Sequence, residues 1–107
     1  ERVADLYNHI HPSVLIALMN IFKQASSSGC HVSICGEMAG DPLSAVLLVG
    51  LGYDTLSMSA GSLLRVKSML LNITKTEARV LARKALKMDS AKDVVNYLEF
   101  KYSVVVN

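Results

Sequence analysis

His31-Val32-Ser33-Ile34-Cys35-Gly36-Glu37-Met38-Ala39-Gly40-Asp41-Pro42 changes its periodicity partway along. Residues 31–35 are β-branched and apolar at alternate positions, the pattern of a half-buried strand. Gly36 to Gly40 then forms a glycine-bearing turn. Asp41 is a strong N-cap and Pro42 suits the first helical position, where its missing N–H costs nothing. The helix that they open runs through Leu43, Val46, Leu47, Val49 and Leu51 to a glycine stop at Gly52. After Tyr53-Asp54, the stretch Thr55-Leu56-Ser57-Met58-Ser59 alternates again and ends at Ala60-Gly61, so a second strand follows closely on the helix.

Outward from this β-α-β centre the chain is helical. Upstream, His11-Pro12-Ser13 opens a segment with Val14, Leu15, Leu18, Met19, Ile21, Phe22 and Ala25 at helical spacing, closed by Ser26-Ser27-Ser28-Gly29. Downstream, a helix is expected from Ser62 with Leu63, Leu64, Val66, Met69 and Leu70 lining one face. Thr74-Lys75-Thr76-Glu77 reads as a capping box for a helix that turns Ala78, Leu81, Ala82, Ala85 and Leu86 inward. Ser90-Ala91-Lys92-Asp93 starts a last helix through Val94, Val95, Leu98 and Phe100, with 102–107 left unassigned.

The order α-β-α-β-α-α-α, with short loops at the strands, is that of parallel βαβ units. Two parallel strands alone make a poor sheet, because parallel strands are normally buried on both faces. The expected fold class is therefore α/β. Residues 1–107 read as one incomplete domain: about two βα units plus terminal helices, at the C-terminal end of a (β/α)8 TIM barrel, which needs roughly 250 residues.

Composition agrees with a piece of a larger core. Half the 107 residues are hydrophobic (51%) and 19% are charged, while a domain of this size buries only about two-thirds of its unfolded surface. No apolar run approaches the roughly 20 residues of a bilayer span, and the first residues lack the pattern of a signal peptide. A cytoplasmic location without membrane contact is the expectation, and Cys30 and Cys35 should then both be reduced. The net charge of +2 divides into two basic and five acidic side chains over 1–60, against nine and four over 61–107. The later basic residues are interspersed with Glu77, Asp89, Asp93 and Glu99 and lack any recognition motif or stacking aromatics, so a solvated helical face is expected and nucleic acid is not.

Ligands of α/β folds sit at the carboxyl ends of strands. Cys35 is the last residue of the first strand, and Ser57, Met58 and Ser59 hold the equivalent end of the second. A thiol there can act as nucleophile, metal ligand or proton donor, or be a small core residue. Nucleophilic attack needs a nearby base, and His9, His11 and His31 all precede the strand. Cys30, His31 and Cys35 do not match a zinc framework. Proton donation asks only for a protonated thiol, which an unactivated cysteine, titrating at about 8.5, supplies at neutral pH.

Three stretches, Val32–Asp41, Gly52–Ala60 and Leu64-Arg65-Val66-Lys67, together resemble the C-terminal end of the barrel in phosphoenolpyruvate-protein phosphotransferases, enzyme I of the sugar phosphotransferase system. The wording is slightly closer to the nitrogen-related paralogue, and pyruvate phosphate dikinases share the Cys-Gly-Glu core. Arg2–Tyr7 and His11–Leu15 resemble the family's helix between its sixth and seventh strands. The resemblance implies transfer of phosphate from phosphoenolpyruvate to an enzyme histidine, then to a histidine-containing phosphocarrier protein. It implies that Cys35 protonates the methylene carbon of the pyruvate enolate, that Gly36 allows close substrate approach, and that Glu37 orients the loop or the thiol. It further implies Mg2+ held by residues outside this chain, as are the phosphate-clamping arginines and the phosphoacceptor histidine. His9, His11 and His31 are therefore expected to be structural or solvated. A homodimer through the barrel domain follows as well, and an assembly module without catalysis of its own is the alternative reading.

Overall fold

The computed structural model describes residues 10–106. The stretch Arg2–Tyr7 and His9, singled out above, lie outside them. Helix α1 (Pro12–Ser27) is followed by β1 (Ile34–Cys35), α2 (Pro42–Leu51), β2 (Leu56–Ser57), α3 (Ala60–Leu71), α4 (Lys75–Leu86) and α5 (Ala91–Val106). The two strands are parallel neighbours, with Ile34 opposite Leu56 and Cys35 opposite Ser57. The β-α-β order expected from the sequence is thus present, but each strand is two residues long instead of five. A lone pair of parallel strands has no further neighbour to extend its hydrogen bonding.

Helix starts follow their local signals. His11 Nδ1 accepts from the Ser13 amide at 3.0 Å, and an Asp41 carboxylate oxygen accepts from the Ser44 amide at 3.0 Å. Thr74 and Glu77 form the reciprocal capping box, at 3.0 and 2.8 Å, and Ser90 Oγ accepts from the Asp93 amide at 3.1 Å. Helix α3 begins at Ala60, two residues before the expected Ser62, because Ser59 caps it. Helix α5 continues to Val106, through most of the stretch left unassigned.

Helix α2 is the hub. Ser44, Ala45, Val46, Leu47 and Leu48 are all buried in succession, as in a helix surrounded by protein. It packs chiefly on α4, with α3 next, and the core joins Val46 and Leu47 to Ala78, Leu81, Ala82 and Ala85 of α4 and to Val94, Val95 and Leu98 of α5. The approach is close: a Cβ on Gly50 would overlap the Ala78 carbonyl and crowd Ala82 Cβ, at 2.8 Å.

The expected inward face of α3 needs correction. Val66 and Met69 are buried, but Leu63 is 52% and Leu64 74% exposed, as is Leu71 at 75%. Apolar residues surround this helix, and contact with α2 selects only one side of it. Phe100, in the second half of α5, is also exposed.

Candidate functional site

Burial alternates along both strands. Val32, Ile34, Leu56 and Met58 are half-buried toward the helices, while Ser33, Cys35, Ser57 and Ser59 are exposed. The ribbon therefore shows an apolar face to its helices and a face of small hydroxyls and a thiol on the other side. Cys35 ends β1 as expected, exposed and with a free thiol, and Cys30 is likewise free and exposed. Gly36 follows in a left-handed conformation, φ +96°, which a side chain adopts only with strain. The turn closes through the Gly40 amide, which donates to the carbonyls of Gly36 and Glu37 at 3.2 Å each.

This turn leans on the end of β2 and the start of α3. A Cβ on Gly40 would stand 3.0 Å from Ser62 Oγ. Ser62 Oγ accepts from Ser59 Oγ at 3.2 Å, and Arg65 Nη2 donates to it at 3.5 Å. Cys35, Gly36, Ser57 and Ser59 thus gather at the carboxyl end of the ribbon. Glu37 is exposed on the turn.

The other end of the ribbon is tied. The Ile34 amide donates to the Thr55 carbonyl at 3.2 Å, and the His31 ring nitrogen Nε2 lies 3.0 Å from Thr55 Oγ1. Thr55 Oγ1 in turn donates to Asp54 at 3.3 Å. Tyr53 is buried, donates to the Leu18 carbonyl at 2.8 Å and lies tilted against Phe22, ring centroids 5.2 Å apart. Burial pushes its phenol above the ordinary range. His11 and His31 thus sit, as expected, at a helix start and beside a strand, away from Cys35. The His31 bridge joins residues far apart in sequence and carries no local signal that could have announced it.

An apolar groove of 340 Å³ opens on the helix side of the ribbon, where Leu56, Met58, Leu63, Val66 and Leu71 meet Tyr53. It faces away from the thiol. Among the described residues no three His, Cys, Asp or Glu side chains group as a metal site, and one Asp41 carboxylate oxygen is engaged as a helix cap. The described residues do not gather the carboxylates that a Mg2+ site needs. No helix among the described residues is long and apolar enough to cross a membrane.

A parallel βαβ unit places the chain among α/β proteins, a class in which ligands sit at the carboxyl ends of strands. The chain belongs to the PEP-utilising enzyme family: residues 1–75 match the model of that family's PEP-binding domain. It is 44% identical over 93 residues to a protein of Salmonella typhimurium named phosphoenolpyruvate-dependent phosphotransferase system, covering 87% of this chain and 12% of that protein. The phosphoenolpyruvate-protein phosphotransferases of Borreliella burgdorferi (38% over 99 residues; 92% and 17%) and Listeria monocytogenes (39% over 103 residues; 96% and 18%) are similar. The chain spans less than a fifth of the length of these curated relatives.

Proposed function

We propose that this chain is the C-terminal portion of the phosphoenolpyruvate-binding domain of a phosphoenolpyruvate-protein phosphotransferase, forming the seventh and eighth βα units of a (β/α)8 barrel. In this reading the whole enzyme moves phosphate from phosphoenolpyruvate to one of its own histidines and on to a histidine-containing phosphocarrier protein. It acts in the cytoplasm, as a homodimer through this domain. The observation that carries the reading is Cys35, an exposed thiol at the carboxyl end of β1 on the ribbon's polar face, in a chain whose relatives bear that name.

Loss of phosphate from phosphoenolpyruvate leaves the enolate of pyruvate. Its methylene carbon takes the proton of Cys35: the S–H bond breaks with its electron pair staying on sulfur, the C=C electrons form the new C–H bond, and the enolate oxygen becomes a carbonyl. Solvent then reprotonates the thiolate. Gly36, with no side chain beside the thiol, lets the substrate approach the backbone. Glu37 holds the turn through its carbonyl. Mg2+ and the groups that clamp the transferring phosphoryl belong to parts of the enzyme outside this chain, so the 107 residues alone are expected to be inactive. Incubation of the chain with labelled phosphoenolpyruvate and Mg2+ tests this; pyruvate formed faster than in the protein-free control overturns it.

A further inference from the structure

The reading of Cys35 leaves open what stabilises the thiolate once its proton has gone. We propose that Ser57 is the positioning residue that does this, an inference that rests on the proton-donor role of Cys35. Ser57 is the in-register partner of Cys35 across the parallel ladder, and both side chains stand on the exposed face. Neighbouring strands are about 4.8 Å apart, so the two side chains rise side by side. In the conformer described no hydrogen bond joins them, and the Ser57 hydroxyl has no partner among the described residues. Both are exposed, so rotation about their χ1 bonds is what would bring Oγ and Sγ within reach of each other.

Of the other polar groups near this end, Arg65 donates to Ser62 Oγ at the start of α3, and the rest are committed or farther along the chain. Ser59 Oγ caps α3 and donates to Ser62. Ser33 stands two residues before Cys35, about 7 Å away by strand rise. Glu37 lies beyond the left-handed Gly36, and His31 bonds Thr55 at the opposite end. A hydroxyl beside the thiol donates to sulfur when it is anionic, and hydrogen bonds to a charged acceptor are roughly twice as strong as neutral ones. Ser57 therefore favours the state in which the proton has passed to carbon.

Ser57→Thr and Ser57→Val, nearly isosteric and differing in the hydroxyl, test this in the intact enzyme. Iodoacetamide reacts with the thiolate, so the alkylation rate of Cys35 at neutral pH, followed by peptide mass spectrometry, reads its stabilisation without any catalytic step. The Thr variant is expected to match the wild type and the Val variant to react about threefold more slowly, the loss of thiolate being partly offset by greater nucleophilicity. Ser57→Ala, checked by circular dichroism, should repeat the slowing if the Val variant misfolds. Val should also lower kcat for pyruvate formation with KM for phosphoenolpyruvate unchanged, and Thr should restore it. Equal alkylation of the Thr and Val variants overturns the role of Ser57 while leaving any loss in Cys35→Ala intact. Full pyruvate formation by Cys35→Ala overturns proton donation itself, and leaves a Thr–Val difference in alkylation standing.

Discussion

The two ends of the β1–β2 ribbon are built from the same short strands, yet they differ in almost every bond. At the amino end, His31, Thr55 and Asp54 are linked side chain to side chain, Tyr53 is bonded to α1, and the last turn of α2 presses on α4 through Gly50. At the carboxyl end, Cys35 and Ser57 are exposed, beside a glycine with positive φ. Long-range side-chain ties cluster at one end, and an exposed thiol and hydroxyl stand at the other. This is the division of labour usual between the two ends of α/β strands.

Substitutions at the two ends should therefore report in different assays. The largest effect is expected from Cys35→Ala in the intact enzyme. Pyruvate formation should fall by about 100-fold or more, in the range of a lost general acid, with phosphoenolpyruvate binding and thermal unfolding little changed. Equal losses of binding and turnover would show that the open end is structural after all.

Next is Gly50→Val at the tied end, where the added methyls meet the Ala78 backbone. Denaturant unfolding should show a loss of about 2–3 kcal/mol, the upper range for overpacking. A smaller cost, about 1 kcal/mol, is expected for Tyr53→Phe, which deletes one hydrogen bond.

Tyr53 also carries a pH signature. Its phenol is raised in the folded chain by burial, so above the unfolded value of about 10 the unfolded state loses its proton first. Its contribution is present below that pH and is lost as pH climbs toward the folded value. Tyr53→Phe should flatten the alkaline fall in stability measured by urea titration. The smallest effect is expected from His31→Ala, about 0.5 kcal/mol for an exposed bond, without change in turnover; a turnover loss would erase the contrast between the ends.

Much of this arrangement was legible in the residues, where the rules are local. The caps at His11, Asp41, Thr74 and Ser90 stand at the expected helix starts, because a capping side chain needs only its own first turn, whereas Ser59, read as the end of a strand, caps α3 ahead of the expected start. The parallel pairing and the terminal place of Cys35 followed from the order of elements. Strand length did not follow: Ser33 and Met58 keep the alternation, but a ladder depends on neighbours that alternation does not reveal. Nor did the burial of α3, since Leu63, Leu64, Val66, Met69 and Leu71 offer apolar groups on several sides and only α2 chooses among them. Gly50 had a signal, an isolated glycine inside an apolar helix, which gains meaning only when Ala78 is placed against it. The Cys35–Ser57 neighbourhood required the register, which no single-strand pattern contains.

The polarity of the ribbon's open face has a consequence for how such a sheet grows. Serines and a thiol gain little by leaving water, so a further strand laid beside this pair would win little free energy from that face. The adhesive lies outside, on Leu63, Leu64 and Leu71 of α3, each able to contribute about 1–2 kcal/mol when covered. What holds this ribbon in place is its helical side, while its face of hydroxyls and thiol stays in contact with water.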